Sequence, residues 1–182
     1  NTGKGISNPA MHYILFLSEV EVDILNGKTK VLNFKAVSDV GVVGNILAVE
    51  GQAFGGISHG IGFALKEDYS DFKRHSTMAG AGIPTVEDIP DNIDVIFHVT
   101  PRKTGPFGSS GCAESFQSSP HMAVINAIKD AVGIRIYELP ATPEKIKAAL
   151  DAMKNGKELK PEKYNFGKSF AEVNRILDDQ IK

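Results

Sequence analysis

Glu114 closes the run Gly105-Pro106-Phe107-Gly108-Ser109-Ser110-Gly111-Cys112-Ala113-Glu114, in which three glycines and two serines leave the backbone bare. Glycine lets a backbone approach a ligand closely. Successive N–H groups in such a loop can form a nest for an anion. A carboxylate at the lip of that loop is a candidate general base. A turn capped by Ser and Glu ahead of a helix uses the same residues. On this stretch alone the plainer reading weighs more, because a single Gly-rich loop is a weak motif. A phosphate-binding module is weaker still, since no Lys follows in the P-loop position.

Two side chains upstream invite the same question. Gln52 is a lone amide among small residues. If buried, it needs hydrogen-bond partners, either within the core or on a ligand. His59 follows seven residues later, about two helical turns along one face, and reads as a packed histidine rather than a metal ligand. Cys112 is the only cysteine, and with five scattered His it makes no zinc-type spacing. A small packed residue is the simpler role for it than a reactive thiol.

The elements that must position these residues follow from local pattern. Residues 11–23 read as a strand whose second half alternates apolar and acidic. Asn26-Gly27 signals a hairpin, and Lys30 to Asp39 is the return strand. Asn45 is a good N-cap for a helix running from Ile46 to Leu65. Five glycines interrupt that helix (Gly51, Gly55, Gly56, Gly60, Gly62). Each costs on the order of 1 kcal/mol relative to Ala on a surface helix. They suit a helix that other backbone or a cofactor must approach. Residues 66–91 are irregular, with room for one short turn between Pro84 and Pro90, and such a loop is usually functional or packed on another domain. A strand over Asp94–Val99 leads into the Gly-rich loop.

Beyond Glu114, Ser119 to Val132 has helical apolar spacing and ends at Gly133. Ile134 to Leu139 is a short strand or extended piece. Thr142-Pro143-Glu144 starts another helix that stops near Asn155-Gly156. We divide the chain into a segment 1–155 and a charged extension 156–182, where Ser169 to Ile181 has room for a peripheral helix.

The chain has 182 residues, 42% of them hydrophobic, enough for one sizeable core. A formal net charge of −2 with mixed signs argues against nucleic acid and anionic membranes as partners. One cysteine rules out a disulfide within the chain and goes with a reducing, cytoplasmic compartment. No run is long and apolar enough for a transmembrane helix. The polar start, Asn1-Thr2-Gly3-Lys4-Gly5, is no signal peptide and reads as a piece of a longer protein.

Taken together, an ordered series carries a resemblance: Glu19-Val20-Glu21-Val22-Asp23, Asn26-Gly27-Lys28, Val37-Ser38-Asp39-Val40-Gly41, Asn45, Val49-Glu50-Gly51-Gln52, Gly55-Gly56, His59-Gly60-Ile61-Gly62, Ile83-Pro84-Thr85 with Asp88-Ile89-Pro90, the loop ending in Glu114, and Ala141-Thr142-Pro143-Glu144-Lys145-Ile146. In order and spacing it resembles the C-terminal part of the molybdenum-binding portion of the molybdenum hydroxylases, the xanthine oxidase and aldehyde oxidoreductase family, and within it the bacterial aldehyde oxidoreductases. The resemblance runs from about residue 10 to residue 155. It departs from the family at Val42 for a common Arg, at Gly44-Asn45-Ile46 for Ile-Asn-Pro, at Ala81 or Gly82 for a Tyr, and at Cys112-Ala113 for Val-Gly. These changes bear on substrate preference more than on reaction class.

The resemblance implies an α/β (α+β) molybdopterin-binding domain and an oxidoreductase that hydroxylates an aldehyde or N-heterocycle at a molybdenum–pterin centre. It implies Glu114 as the catalytic base and Gln52 as a hydrogen-bond partner of an oxygen on the metal. It further implies that Asn45, Ile46, Leu47 and Ala48 offer N–H groups to the pterin diphosphate, in a cytosine dinucleotide form. Ser110, Gly111, Cys112 and Ala113 bring loop backbone against the cofactor. No protein side chain need ligate the metal. The [2Fe-2S] clusters that take up the electrons lie elsewhere in the protein or on a partner subunit, and the complete enzyme is a homodimer whose N-terminal part completes the site. The alternative from another class is a non-catalytic domain that packs within a larger complex. Retention of both Gln52 and Glu114 favours the enzyme.

Overall fold

The computed structural model describes residues 10–157. Within them, strand β1 (Tyr13–Val22) and strand β2 (Thr29–Asp39) form an antiparallel hairpin. The loop between them is longer than a two-residue turn. Asp23 accepts from the Leu25 N–H at 2.8 Å and from Asn26 Nδ2 at 2.5 Å, which curls the chain before Gly27 turns it with φ 79°. Helix α1 (Ile46–Leu65) then crosses to strand β3 (Asn92–Phe97), which pairs parallel with β2. A parallel pair needs such a crossover. The sheet order is β1-β2-β3.

One face of the sheet is covered by α1 and by helix α3 (Pro120–Val132), and helix α4 (Pro143–Lys154) completes the core. Phe34 and Ala36 of β2, Ile57 and Ile61 of α1, Val124 and Ile128 of α3, and Ile146 of α4 are fully buried together. A short helix, α2 (Ala113–Ser118), precedes α3. Sequence spacing places a helix over Ser119 to Val132, and α3 stands there with Pro120, which lacks an N–H, at its first position; the separate α2 before it has no counterpart in that spacing.

The hairpin, the cap at Asn45, the bounds of α1, the turn at Val86–Asp88, the Gly133 stop (φ 76°) and the Thr142-Pro143 start stand where the residues put them. β3 begins two residues earlier than Asp94 and ends before His98. Residues 134–137 form no strand and join no sheet. The lead-in 1–9 and the extension beyond 157, including the peripheral helix over Ser169 to Ile181, lie outside the described residues. Among the described residues no helix is long and apolar enough to cross a membrane.

Candidate active site

The Gly-rich loop is a fixed platform rather than a free coil. Its only helical part is a single 3₁₀ turn, Pro106–Gly108. The carbonyl of Gly108 accepts from the N–H of Val42 at 3.0 Å and of Arg102 at 2.8 Å. Ser109 Oγ donates to the Val42 carbonyl at 2.5 Å. Ser110 donates twice to the Val40 carbonyl, from N–H at 2.8 Å and Oγ at 3.1 Å. The loop is thereby stitched to the segment that leaves β2. Phe107 at its tip has φ 52° and is 99% exposed, a strained aromatic held out of the fold.

Arg102 holds the base of the loop. Its Nε donates to the Met11 carbonyl at 2.8 Å, Nη1 to the Thr100 carbonyl at 2.5 Å, and Nη2 to the Asp39 carbonyl at 2.6 Å. The ion pair to Asp39 Oδ1 spans 3.1 Å, with side chains only 11% and 14% exposed. The guanidinium also lies 5.3 Å from the Tyr13 ring centroid. Burial opposes ionisation of Asp39. The N–H of Gly41, both polar groups of Thr100 and the Arg102 guanidinium outweigh it and hold the carboxyl well below the usual carboxylate range.

The loop leads into an open groove of about 710 Å³ lined by Ala10, Met11 and His12 on one side and by Pro106 and the stretch Ser109 to Ser115 on the other. Glu114 is the second residue of α2 and stands exposed in this groove, with Gly111, Cys112 and Ala113 beside it. The N–H groups of these three make no hydrogen bond to another described residue, whereas those of Ser109 and Ser110 are used by the fold. Burial raises the Cys112 thiol above its ordinary value. That favours the unreactive form, in line with a packed residue.

Helix α1 runs against α2 because of its glycines. A Cβ on Gly56 would lie 2.6 Å from backbone atoms of Phe116, and one on Gly60 would lie 2.3 Å from the Pro120 ring. Gly62 is crowded by Glu67 and Pro84. Gly51 and Gly55 differ: an added Cβ meets nothing within 4 Å. They lie on the outward side of α1 with Leu47, which is 80% exposed. Gln52 lies there too, exposed rather than set in the core, so no internal partner satisfies its amide. Gln52 precedes Gly56 by one helical turn, and Glu114 precedes Phe116 by two residues. The Gly56–Phe116 contact therefore brings the Gln52 end of α1 toward the Glu114 end of α2. At the helix start, Asn45 Oδ1 accepts from the Ala48 N–H at 3.0 Å. The N–H groups of Ile46 and Leu47 remain without a described partner. His59 is exposed and 3.3 Å from Gln117 Nε2, so it is not a packed residue.

Sequence reasoning passes over two residues here. Arg102 offers no signal beyond being the first of two cations after Pro101. His12 reads as one more strand residue, yet it lines the groove, bonds Ser38 Oγ through Nε2 at 2.8 Å and meets the Phe116 ring edge-on at 5.2 Å. Burial, and after it the Arg102 charge, lower its pKa, with Asp39 opposing. Its ring is neutral near pH 7.

An exposed carboxylate beside free loop N–H groups, with bare backbone on the outward side of α1, leaves room for a ligand. Comparison with known proteins gives the class. Residues 1–90 match the family model of the molybdopterin cofactor-binding domain. Over 151 residues the chain is 48% identical to the aldehyde oxidoreductase of Megalodesulfovibrio gigas, covering 83% of this chain and 17% of that protein. It is 38% identical over 133 residues to the nicotine 6-hydroxylase large subunit of Paenarthrobacter nicotinovorans, covering 70% and 16%. The crystal structure of the aldehyde oxidoreductase from Desulfovibrio desulfuricans superposes with a TM-score of 0.74 at 50% identity, over 76% of this chain and 15% of that one. The chain belongs to the molybdenum hydroxylase family and contains part of its molybdopterin cofactor-binding domain. It spans about a sixth of the length of the curated relatives it matches.

The residues present fit such a cofactor. The outward side of α1 is clear at Gly51 and Gly55, and Gly111 likewise has nothing within 4 Å of an added Cβ. The unpartnered N–H groups of Ile46, Leu47, Gly111, Cys112 and Ala113 suit an oxygen-rich, anionic group.

Proposed function

We propose that this chain is the part of a molybdenum-dependent aldehyde oxidoreductase that supplies the active-site base and one wall of the cofactor site. The observation that carries this reading is the placement of Glu114: an exposed carboxylate in a groove whose walls are pinned and where the N–H groups of Gly111, Cys112 and Ala113 are free. The molybdenum–pterin group, when bound, supplies oxygen transfer to the substrate carbon and takes up two electrons. The Glu114 carboxylate takes a proton from the oxygen nucleophile. Gln52 Nε2 donates a hydrogen bond where negative charge grows on an oxygen. The N–H groups of Ile46 and Leu47 bind the diphosphate of the cofactor, with Asn45 setting the helix start and Ala48 completing the first turn. Gly111, Cys112 and Ala113 hold its other side, with Ser110 anchoring them through Val40.

The substrate is an aldehyde or a related small molecule, the dinucleotide carries cytosine, and electrons leave through [2Fe-2S] clusters held elsewhere in the protein or its subunits. The complete enzyme is a cytoplasmic homodimer. The test is metal and nucleotide analysis of the complete protein with aldehyde turnover. One molybdenum and one cytosine nucleotide per active site, with aldehyde oxidation, are expected. A complete protein without molybdenum would favour a packing domain within a larger complex.

A further inference from the structure

Glu114 stands on a helix that cannot hold its own position. α2 has six residues, and its N-cap, Cys112, makes no side-chain hydrogen bond to it. Helices this short are not stable alone. Phe116 is the only buried residue of α2 and is fully enclosed. Where Phe116 sits therefore decides where Glu114 stands, two residues earlier. Two walls close on Phe116. One is α1 at Gly56, where the backbones nearly touch. The other is the His12 ring, edge-on at 5.2 Å.

His12 is itself tied down. Its Nε2 lies 2.8 Å from Ser38 Oγ, and Ser38 is fully buried in β2. Its Nδ1 is buried and has no partner among the described residues. A buried orphan N–H costs more than an orphan lone pair. The proton thus belongs on Nε2, with Ser38 Oγ accepting. The contact joins the end of β2 and the start of β1 to α2 through one neutral ring. Nothing in the proposed chemistry uses His12 directly, because its free nitrogen is shut off from the groove.

We propose that His12 is a positioning residue: by its hydrogen bond to Ser38 and its edge contact with Phe116, it fixes α2 and so the Glu114 carboxylate relative to the groove. The proposal rests on the reading of Glu114 as the base.

The test uses the complete, cofactor-loaded protein. His12→Phe keeps a ring against Phe116 and removes the hydrogen bond. Ser38→Ala removes the same bond from the other side and leaves His12 in place. Both are expected to lower kcat by ~10- to ~100-fold, the scale for a displaced catalytic group. KM for the aldehyde and molybdenum content stay within about twofold of wild type on the same argument, since only the base moves. In a Glu114→Gln background, His12→Phe adds no further loss, because it acts only through Glu114. Crystal structures of wild type and His12→Phe should differ in the position of the residue-114 carboxylate. Wild-type kcat in both single variants, with Glu114→Gln inactive, overturns the positioning role and leaves the base standing. So does a His12→Phe loss that multiplies with that of Glu114→Gln, or a loss of molybdenum in both single variants. Full turnover in Glu114→Gln alone refutes the base, and this inference with it.

Discussion

Gly56→Ala should part α1 from α2, and the structure sets its size. The added Cβ would lie 2.6 Å from the Phe116 carbonyl carbon and oxygen, where ordinary contact begins near 3.4 Å. The helices must open there by about 0.8 Å, and backbone cannot rotate away as a side-chain tip can. Overpacking of this kind costs about 1–3 kcal/mol, against a gain of about 1 kcal/mol from replacing Gly with Ala in a helix. The net effect is a loss of up to roughly 2 kcal/mol. Gly55→Ala, one residue away with nothing within 4 Å, keeps the gain of about 1 kcal/mol and has no clash to offset it. Urea unfolding of the 182-residue chain should therefore move in opposite directions. The midpoints separate by roughly 1 M for a slope of 1–3 kcal/mol per M. In the complete enzyme, a shift of this size at Phe116 should lower turnover by up to ~100-fold. Equal midpoint shifts in the two variants would refute the close-approach reading of Gly56.

Asp39 is held ionised in the fold, so its contribution to stability is fully present above the ordinary aspartate range near ~3.9 and is lost as pH falls through its lower folded value. Asp39→Asn should thus be destabilised at pH 7, with the gap to wild type closing below about pH 4, as read from urea midpoints across pH. Arg102→Ala should cost about 3 kcal/mol by the same measurement, because it strands a buried carboxylate. Cys112 is the only cysteine in the 182-residue chain, and its raised thiol pKa predicts reaction with a disulfide reagent at pH 7.5 slower than that of a free thiol. The 182-residue chain alone should hold no stoichiometric molybdenum, since only Gln52 and two stretches of backbone are on hand to grip the cofactor; metal analysis after desalting decides this.

Much of the frame was legible because local chemistry decides it. Asn45 before an apolar run, Thr142-Pro143, and Gly133 after α3 each satisfy or end a helix by rules that act over four residues. The five glycines of α1 signalled close approach, and the structure divides them by function. Gly56, Gly60 and Gly62 meet α2, α3 and the loop after α1, while Gly51 and Gly55 meet open space. That division depends on which side of the helix faces the core and could not be read from spacing alone. The exposure of Gln52 follows from the same geometry. Longer-range ties were invisible. Arg102 bonds Met11 and Asp39, which are 91 and 63 residues away, and His12 bonds Ser38 across 26. No periodicity encodes such contacts. The short α2 ahead of Pro120 offered no periodicity to read, since its six residues bury only Phe116.

The most direct test of the account is Glu114→Gln in the complete, cofactor-loaded protein. The amide keeps the shape of the carboxylate and cannot act as a base. Steady-state aldehyde oxidation and molybdenum content are measured for wild type and variant. The account predicts a fall in kcat of at least ~10²-fold, the usual worth of a positioned base, with molybdenum content unchanged. A variant that keeps both its metal and most of its turnover would contradict it, and Glu114 would then be no more than a residue in the first turn of α2.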